Sequence, residues 1–218
     1  MRWEVVRQTF SYLLQGLEAT VVLGVGVMVL GTLLGAVLAL MRLARRRPVA
    51  VPAAGFVELF RDTPLIMQMF FMFFGLPALG IRLPSLMAAT LAMTFFASAN
   101  AAEIIRGAIQ SIPHGQMEAA RSLGLSYLAS MRLVIVPQAV RRMIPPMMGL
   151  FTTLIKDTSL AAIINVFELT TAARQVVERT LASFEIWLVA AALYFAVCYP
   201  VSVASQRLEQ RFTAEAGR

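Results

Sequence analysis

GLEATVVLGVGVMVLGTLLGAVLALM, Gly16 to Met41, is followed at once by Arg42 and then by Arg45, Arg46 and Arg47. Glu18 is its only charge. A helix needs about 20 apolar residues to cross a bilayer, so the run reads as a membrane span closed by a basic cluster. It is longer than the roughly 7–15 apolar residues of a secretory leader. It also follows a mixed stretch containing Glu4, so it is expected to stay as a helix rather than be cleaved.

Four more apolar runs lie downstream, at about Ala53–Leu76, Leu86–Ile105, Val140–Ile163 (with Pro145 and Pro146 inside) and Phe184–Ala204. The chain is 59% hydrophobic and 14% charged, where a soluble domain has about 45–50% and about 25%. A soluble helical core does not fit this composition. A membrane β-barrel needs short alternating segments, and these runs are continuous. The expected fold is all-α: a polytopic membrane protein with five transmembrane helices. Residues 1–218 read as one transmembrane domain, without internal repeat or low-complexity segment.

The net charge of +7 does not point to nucleic acid, because the positive residues cluster at the ends of apolar runs, as the positive-inside rule places them. With the N-terminus outside, thirteen arginines fall on the cytoplasmic side: Arg42, Arg45, Arg46, Arg47, Arg61, Arg106, Arg121, Arg132, Arg141, Arg142, Arg207, Arg211 and Arg218. Five fall outside: Arg2, Arg7, Arg82, Arg174 and Arg179. The expected orientation therefore has the N-terminus out and the C-terminus in. Cys198 is the only cysteine and lies in an apolar run, so it forms no internal disulfide. No His, Cys and carboxylate cluster has metal spacing, and no nucleophile–base pair stands out.

Between the third and fourth runs lies a polar island, EAARSLG, Glu118 to Gly124. Pro113 and Gly115 are expected to break the third helix and Gln116–Leu123 to form a short one. Glu118 then falls in its first turn, where the helix dipole favours a carboxylate. Ala119 and Ala120 are small and let another surface approach, and Arg121 follows them. Gly124 suits a left-handed helix end. Ser126 is placed to cap a following helix that runs to Pro137. The loop, about residues 107–137, thus reads as a compact helix–turn–helix knob. Lone His114 is read as an exposed residue of it.

The pattern E-A-A, three residues, Gly, then an apolar–Pro step at Ile135-Val136-Pro137 resembles the coupling loop of the membrane permease subunit of ATP-binding-cassette importers. IRGAIQSIPHGQMEAARSLGLS (Ile105–Ser126), FRDTPLIMQMFF (Phe60–Phe71) and LIKDTSLAAII (Leu154–Ile164) are similar to the polar amino-acid branch of that family. There are two departures. Asn100 stands where the branch often has an aromatic residue, and Asp62 where many relatives carry Gly. The resemblance implies that Glu118, Ala119, Ala120, Arg121 and Gly124 couple to an ATPase. It also implies that Lys156, Asp157, Thr158 and Ser159 line the substrate pathway, with Asn100 tuning what that pathway accepts.

Lys156 is the only lysine in the chain and is followed by Asp157, Thr158 and Ser159 inside an apolar stretch. One Lys or Asp at a bilayer centre costs roughly 2.5–3.5 kcal/mol on insertion scales, so such residues face protein or water. On a continuous α-helix, Thr152, Lys156 and Ser159 share a face, with Thr153 one turn below Asp157. The set offers an anion for an ammonium, and a cation with hydroxyls for a carboxylate, which suits a zwitterionic amino acid. The competing reading is an ion pair that ends the helix at the interface. Gln68, Asn100 and Glu103 are polar groups equally suited to interhelical hydrogen bonds. Glu58 and Arg61, three apart, are expected to pair. Asn165–Ala182 reads as a short helix lying on the outer surface.

A phosphate-cradling loop needs G-x-x-x-x-G-K-[ST], and the lone lysine sits in no such context. The chain is therefore expected not to be an enzyme and to hold no cofactor, with ATP and Mg bound by a separate ATPase. The expected partners are two copies of a cytoplasmic ATP-binding subunit and a second permease chain, alike or different. The resemblance further implies a prokaryotic cell membrane as the location and an extracytoplasmic solute-binding protein, which would meet the outer loops near Arg82 and Asn165–Ala182. The expected cargo is a polar amino acid or a related zwitterion. An ion-coupled secondary carrier with Lys156–Asp157 as its proton site is the alternative function; it has no use for a rigid cytoplasmic knob.

Overall fold

The structure, a computed structural model, describes residues 3–44 and 46–216, with backbone only for 211–216. Arg2, Arg45, Arg218 and the side chain of Arg211 lie outside the described residues. Nine α-helices are described: α1 (Trp3–Leu43), α2 (Arg47–Asp62), α3 (Leu65–Phe70), α4 (Ser85–Gln110), α5 (His114–Ser122), α6 (Tyr127–Ser130), α7 (Val136–Asp157), α8 (Leu169–Thr180) and α9 (Ser183–Ala216). A π-segment, Met131–Ile135, joins α6 to α7, and a 3-10 segment, Thr158–Ile164, continues α7. Four stretches are long and apolar enough to cross a bilayer: Trp3–Leu43, Ser85–Gln110, Tyr127–Ile164 and Ser183–Gln210.

The second expected span is not a straight rod. It is a pair of helical pieces, Arg47–Asp62 and Leu65–Leu79, bent by 104°. Pro64 is the cause. Its ring disfavours a helical conformation in the residue before it, and Thr63 is extended, with φ −101° and ψ 137°. Gln68 is buried and stitches the break, its Nε2 donating to the carbonyls of Phe60 (2.8 Å) and Thr63 (3.0 Å).

The first helix starts well before the apolar run. Trp3–Gln15 is helical because one of its faces is buried: Leu13 packs with Leu169, Ala172, Val176 and Ile186. The segment expected to lie flat on the outer surface does contain a helix, α8, but it is inserted against α1. Leu169, Thr171, Ala172, Ala173 and Val176 turn inward and leave Glu178 and Arg179 outside. Fully buried Glu168 caps α8 by accepting from the backbone N–H of Thr170 (2.8 Å) and Thr171 (2.6 Å), and it accepts the Tyr194 hydroxyl at 2.8 Å.

α1 and α4 form the central seam. Gly31 and Gly35 of α1 lie against Ala97 and Ala101 of α4, so close that a Cβ on Gly35 would sit 2.7 Å from that of Ala101. Small residues in such a seam let membrane helices approach backbone to backbone.

One end of the bundle gathers the last turns of α1 and α4, the start of α7 and the end of α9. The ties are Arg42–Glu103 (2.5 Å), Arg142 Nη1 to the Ser111 carbonyl (2.6 Å) and Ser205 Oγ to the Pro145 carbonyl (3.0 Å). Arg42, Arg61, Arg106, Arg121, Arg132, Arg141, Arg142 and Arg207 belong to this basic end. Arg7, Arg82, Arg174 and Arg179 belong to the other.

Candidate functional site

The polar island folds as a helix–turn–helix at the basic end. α5 begins at His114, directly after Pro113, and not at Gln116. Proline suits a helix start because its missing N–H would be unpaired there anyway. Gly115 is thus inside the helix, and Glu118 sits in the second turn rather than the first. Gly124 has φ +83°, in the left-handed region. The Leu125 N–H closes back on the Ala120 carbonyl (3.2 Å) and that of Gly124 on Arg121 (3.0 Å), which is a glycine-terminated helix end. Ser126 caps α6 by accepting the Ala129 N–H at 3.2 Å. The following helix does not stop at Pro137. It passes through the π-segment and continues as α7, with Pro137 as the second residue after that segment.

The knob is anchored on an apolar footing of Ala108, Ile112, Ile135 and Ala139, with Met117, Met131 and Met143 packed against it. Arg142 of α7 fastens Ser111, the residue just after α4, through both its carbonyl and its hydroxyl. Of the expected coupling residues, Ala120 is buried, while Glu118, Ala119, Arg121 and Gly124 are exposed, as is His114. Leu123 (84% exposed) and Leu128 (76%) add an apolar crown that the sequence reading passes over. Arg121 also lines a cleft of about 650 Å³ with Leu43, Ala44, Met117 and Tyr127.

Lys156 and Asp157 lie at the far end of α7, roughly 30 Å along the helix from Val136. The expected strip of Thr152, Lys156 and Ser159 is not realised as one open face. Thr152 is buried, its hydroxyl on the Met148 carbonyl at 3.0 Å. At Thr158 the helix tightens to 3-10, which has fewer residues per turn, so the side chains that follow rotate out of α-helical register. Thr158 is fully buried, donating to Ile155 O at 2.8 Å, and Ser159 is half-buried. Lys156 is exposed and Asp157 half-buried. Asn100 is half-buried and donates to the Phe96 carbonyl within its own helix (2.9 Å).

From residue 143 to 157 the exposed residues of α7 are Pro146, Gly149, Thr153 and Lys156. None is a large aliphatic, and a Cβ on Gly149 would meet nothing within 4 Å. The contrast with the outer helices is sharp. α1 exposes Val22, Val25, Val29, Leu33, Val37 and Leu40, and α9 exposes Phe184, Trp187, Leu188 and Phe195. Faces of this kind suit acyl chains. The open face of α7 is one that protein or water must cover.

Glu103 corrects a further expectation. Arg61 reaches Glu103 of α4 at 3.8 Å, so it bridges α2 to α4, and Glu58 is exposed. Arg42 of α1 meets the same carboxylate at 2.5 Å, and Arg106 joins through Nε at 3.2 Å and through Nη2. No group of three or more metal-ligating side chains occurs among the described residues.

Residues 31–214 match the family described as binding-protein-dependent transport system inner membrane component. Among curated proteins, a probable glutamine ABC transporter permease protein of Bacillus subtilis (strain 168) is 40% identical, covering 95% of this chain and 96% of its own length. The L-cystine transport system permease protein of the same organism is 36% identical over 96% and 90%. A glutamate/aspartate import permease protein of Escherichia coli O157:H7 is 35% identical over 96% and 97%. Among solved structures, a chain of an amino acid ABC transporter crystallised with histidines superposes with a TM-score of 0.91 at 31% identity, covering 97% of this chain and 99% of that one. An inward-facing methionine ABC transporter shares the fold, with a TM-score of 0.70 at 22% identity over 97% of each chain.

Proposed function

Since the chain belongs to the family of binding-protein-dependent transport system inner membrane components, we propose that it is the permease subunit of an ATP-driven importer for polar amino acids or related zwitterions. The observation that carries this reading is the knob from His114 to Ser126. It is a compact, glycine-terminated helix–turn–helix mounted at the foot of α7, whose other end bears Lys156 and Asp157. A shift of the knob is passed through one continuous helix to the charged segment. Two copies of a cytoplasmic ATPase bind ATP and Mg and hydrolyse the nucleotide, and docking falls on Glu118, Ala119, Arg121, Gly124 and the leucine crown. A second permease chain covers the Pro146–Lys156 face, and a solute-binding protein delivers cargo near Arg82 and α8. The named relatives and structural neighbours are ABC permeases, and none supports the ion-coupled alternative.

Lys156 and Asp157, with half-buried Ser159 beside them, hold the charged main-chain groups of the cargo, buried Thr158 supports that segment from within, and Asn100 tunes which side chain the pathway accepts. Asp157→Asn is expected to weaken apparent affinity roughly ten- to hundredfold, the effect of losing one charge-assisted contact. Lys156→Met is expected to be at least as harmful, since it leaves Asp157 without its nearest cation. The double variant should insert normally and fail in uptake. The experiment is uptake of a labelled amino-acid panel by the reconstituted importer, normalised to inserted permease. Near-wild-type transport by the double variant would reduce the pair to a helix-end ion pair.

Orientation follows from the arginine distribution, with the knob in the cytoplasm. His114 and Arg82 are both exposed and lie at opposite ends. In a Cys198→Ala background, His114→Cys should react with an impermeant thiol reagent only in inverted vesicles, and Arg82→Cys only in intact cells. The reverse pattern would invert the topology.

A further inference from the structure

We propose that Arg42, Arg61 and Arg106 form a site for the phosphate of an acidic membrane phospholipid. Three helices, α1, α2 and α4, each send one guanidinium to the single carboxylate of Glu103. One carboxylate neutralises one of them, so the cluster keeps surplus positive charge in a partly buried place. The side chains of Arg42, Arg61 and Arg106 are 15%, 38% and 26% exposed.

Their hydrogen-bonding capacity is unevenly used. Arg106 commits Nε and Nη2 to Glu103 and Nη1 to Gln110. Arg42 commits Nη1. Among the described residues the ion pair of Arg61 is with Glu103, at 3.8 Å, beyond hydrogen-bond range. Arg61 therefore presents a guanidinium fork free of hydrogen bonds beside the uncommitted Nε and Nη2 of the more covered Arg42, and such planar donors match phosphate oxygens. The other carboxylates near the end of α2, Glu58 and Asp62, are exposed, and the ion pair that Arg61 makes is with Glu103.

Depth identifies the phosphate as a lipid's. Arg42 is in the last turn of the apolar helix α1, where hydrocarbon gives way to headgroups. Leu40 of α1 and Val51 and Leu59 of α2 are large exposed aliphatics, which places this corner among acyl chains. A lipid phosphate seated here would link α2, the piece before the 104° bend, to the α1–α4 seam. This inference rests on the membrane placement of the chain and is independent of its cargo.

The test uses the purified full-length chain, delipidated in neutral detergent and offered phosphatidylglycerol or phosphatidylcholine, with retained lipid counted by native mass spectrometry. Phosphatidylglycerol should be retained preferentially. Arg61→Gln should lower its retention roughly fivefold, the effect of one basic residue at an anionic surface. Arg207→Gln, an exposed arginine at the same end but outside the cluster, should leave it unchanged. Arg61→Lys keeps the charge but loses the fork and should fall between, which guards against a folding defect in the glutamine variant. Millimolar inorganic phosphate should not displace the lipid. Equal retention of both lipids, equal losses in the Arg61→Gln and Arg207→Gln variants, or displacement by free phosphate would each overturn the assignment.

Discussion

Gly35→Leu is expected to leave little folded permease in the membrane. At this position even a methyl group has no room. Its Cβ would lie 2.7 Å from the Ala101 Cβ, 2.8 Å from the Ser98 carbonyl oxygen and 3.0 Å from the Ala102 nitrogen. Two of these three atoms are backbone, so no rotamer change relieves the clash and α1 must move off α4. Overpacking a fitted core costs about 1–3 kcal/mol, and this is the seam on which the other helices are hung. A tenfold drop in folded protein corresponds to about 1.4 kcal/mol, so leucine should exceed that. Gly35→Ala should be milder and partly rescued by Ala101→Gly, which removes the nearest atom. Gly107→Ala is the control, since a Cβ there meets nothing within 4 Å. Expression with fluorescence-detected size exclusion measures all four. Full-length monodisperse Gly35→Leu protein at wild-type yield would show that the seam is looser than described.

This seam marks where sequence reading stops. Apolar length located the spans because bilayer thickness sets it, and four of the five runs do appear as membrane-length helices. It gave Gly31 and Gly35 no role, since within an apolar run each glycine counts alike and only the facing helix distinguishes them. The break at Pro64 was visible as a residue, but a helix can also carry proline through, as α7 does at Pro145 and Pro146. The difference lies in Thr63, which turns extended, and in Gln68, which takes up the carbonyls freed there. For the knob, the sequence carried the turn itself, because a left-handed residue almost dictates glycine. Its start was misplaced by two residues, as Pro113 and Gly115 are both breakers and only the proline acts as one. The strip at Lys156 failed for a physical reason as well: spacing on an ideal α-helix does not survive a change to 3-10 at Thr158. The Glu103 cluster joins residues far apart in sequence, and no local pattern announces that.

Glu118→Lys and Gly124→Val are expected to abolish coupling while sparing insertion, by two different routes. Glu118 is exposed, so reversing its charge disturbs little inside the chain and acts on whatever docks there. Like charges forced together across an interface cost several kcal/mol, enough for a drop of roughly tenfold or more in uptake and in ATPase retention. Gly124 fails through backbone geometry. Its φ is +83° and a Cβ would meet nothing within 4 Å, so space is not the obstacle. A residue with a Cβ in the left-handed region costs roughly 1–2 kcal/mol. The penalty is largest for β-branched valine and smallest for asparagine, whose side chain tolerates that region. Uptake should therefore fall in the order Gly124→Asn, Gly124→Ala, Gly124→Val, whereas polarity alone would put asparagine below alanine. The same series should leave membrane insertion flat, because α5 and Gly124 lie outside the membrane-length helices and the footing of Ala108, Ile112, Ile135 and Ala139 is untouched. The measurements are amino-acid uptake, co-purification of the ATPase and permease content of the membrane. Uptake that ranks the three variants by polarity, or that stays at wild type in Gly124→Val, would remove the left-handed turn from the coupling path.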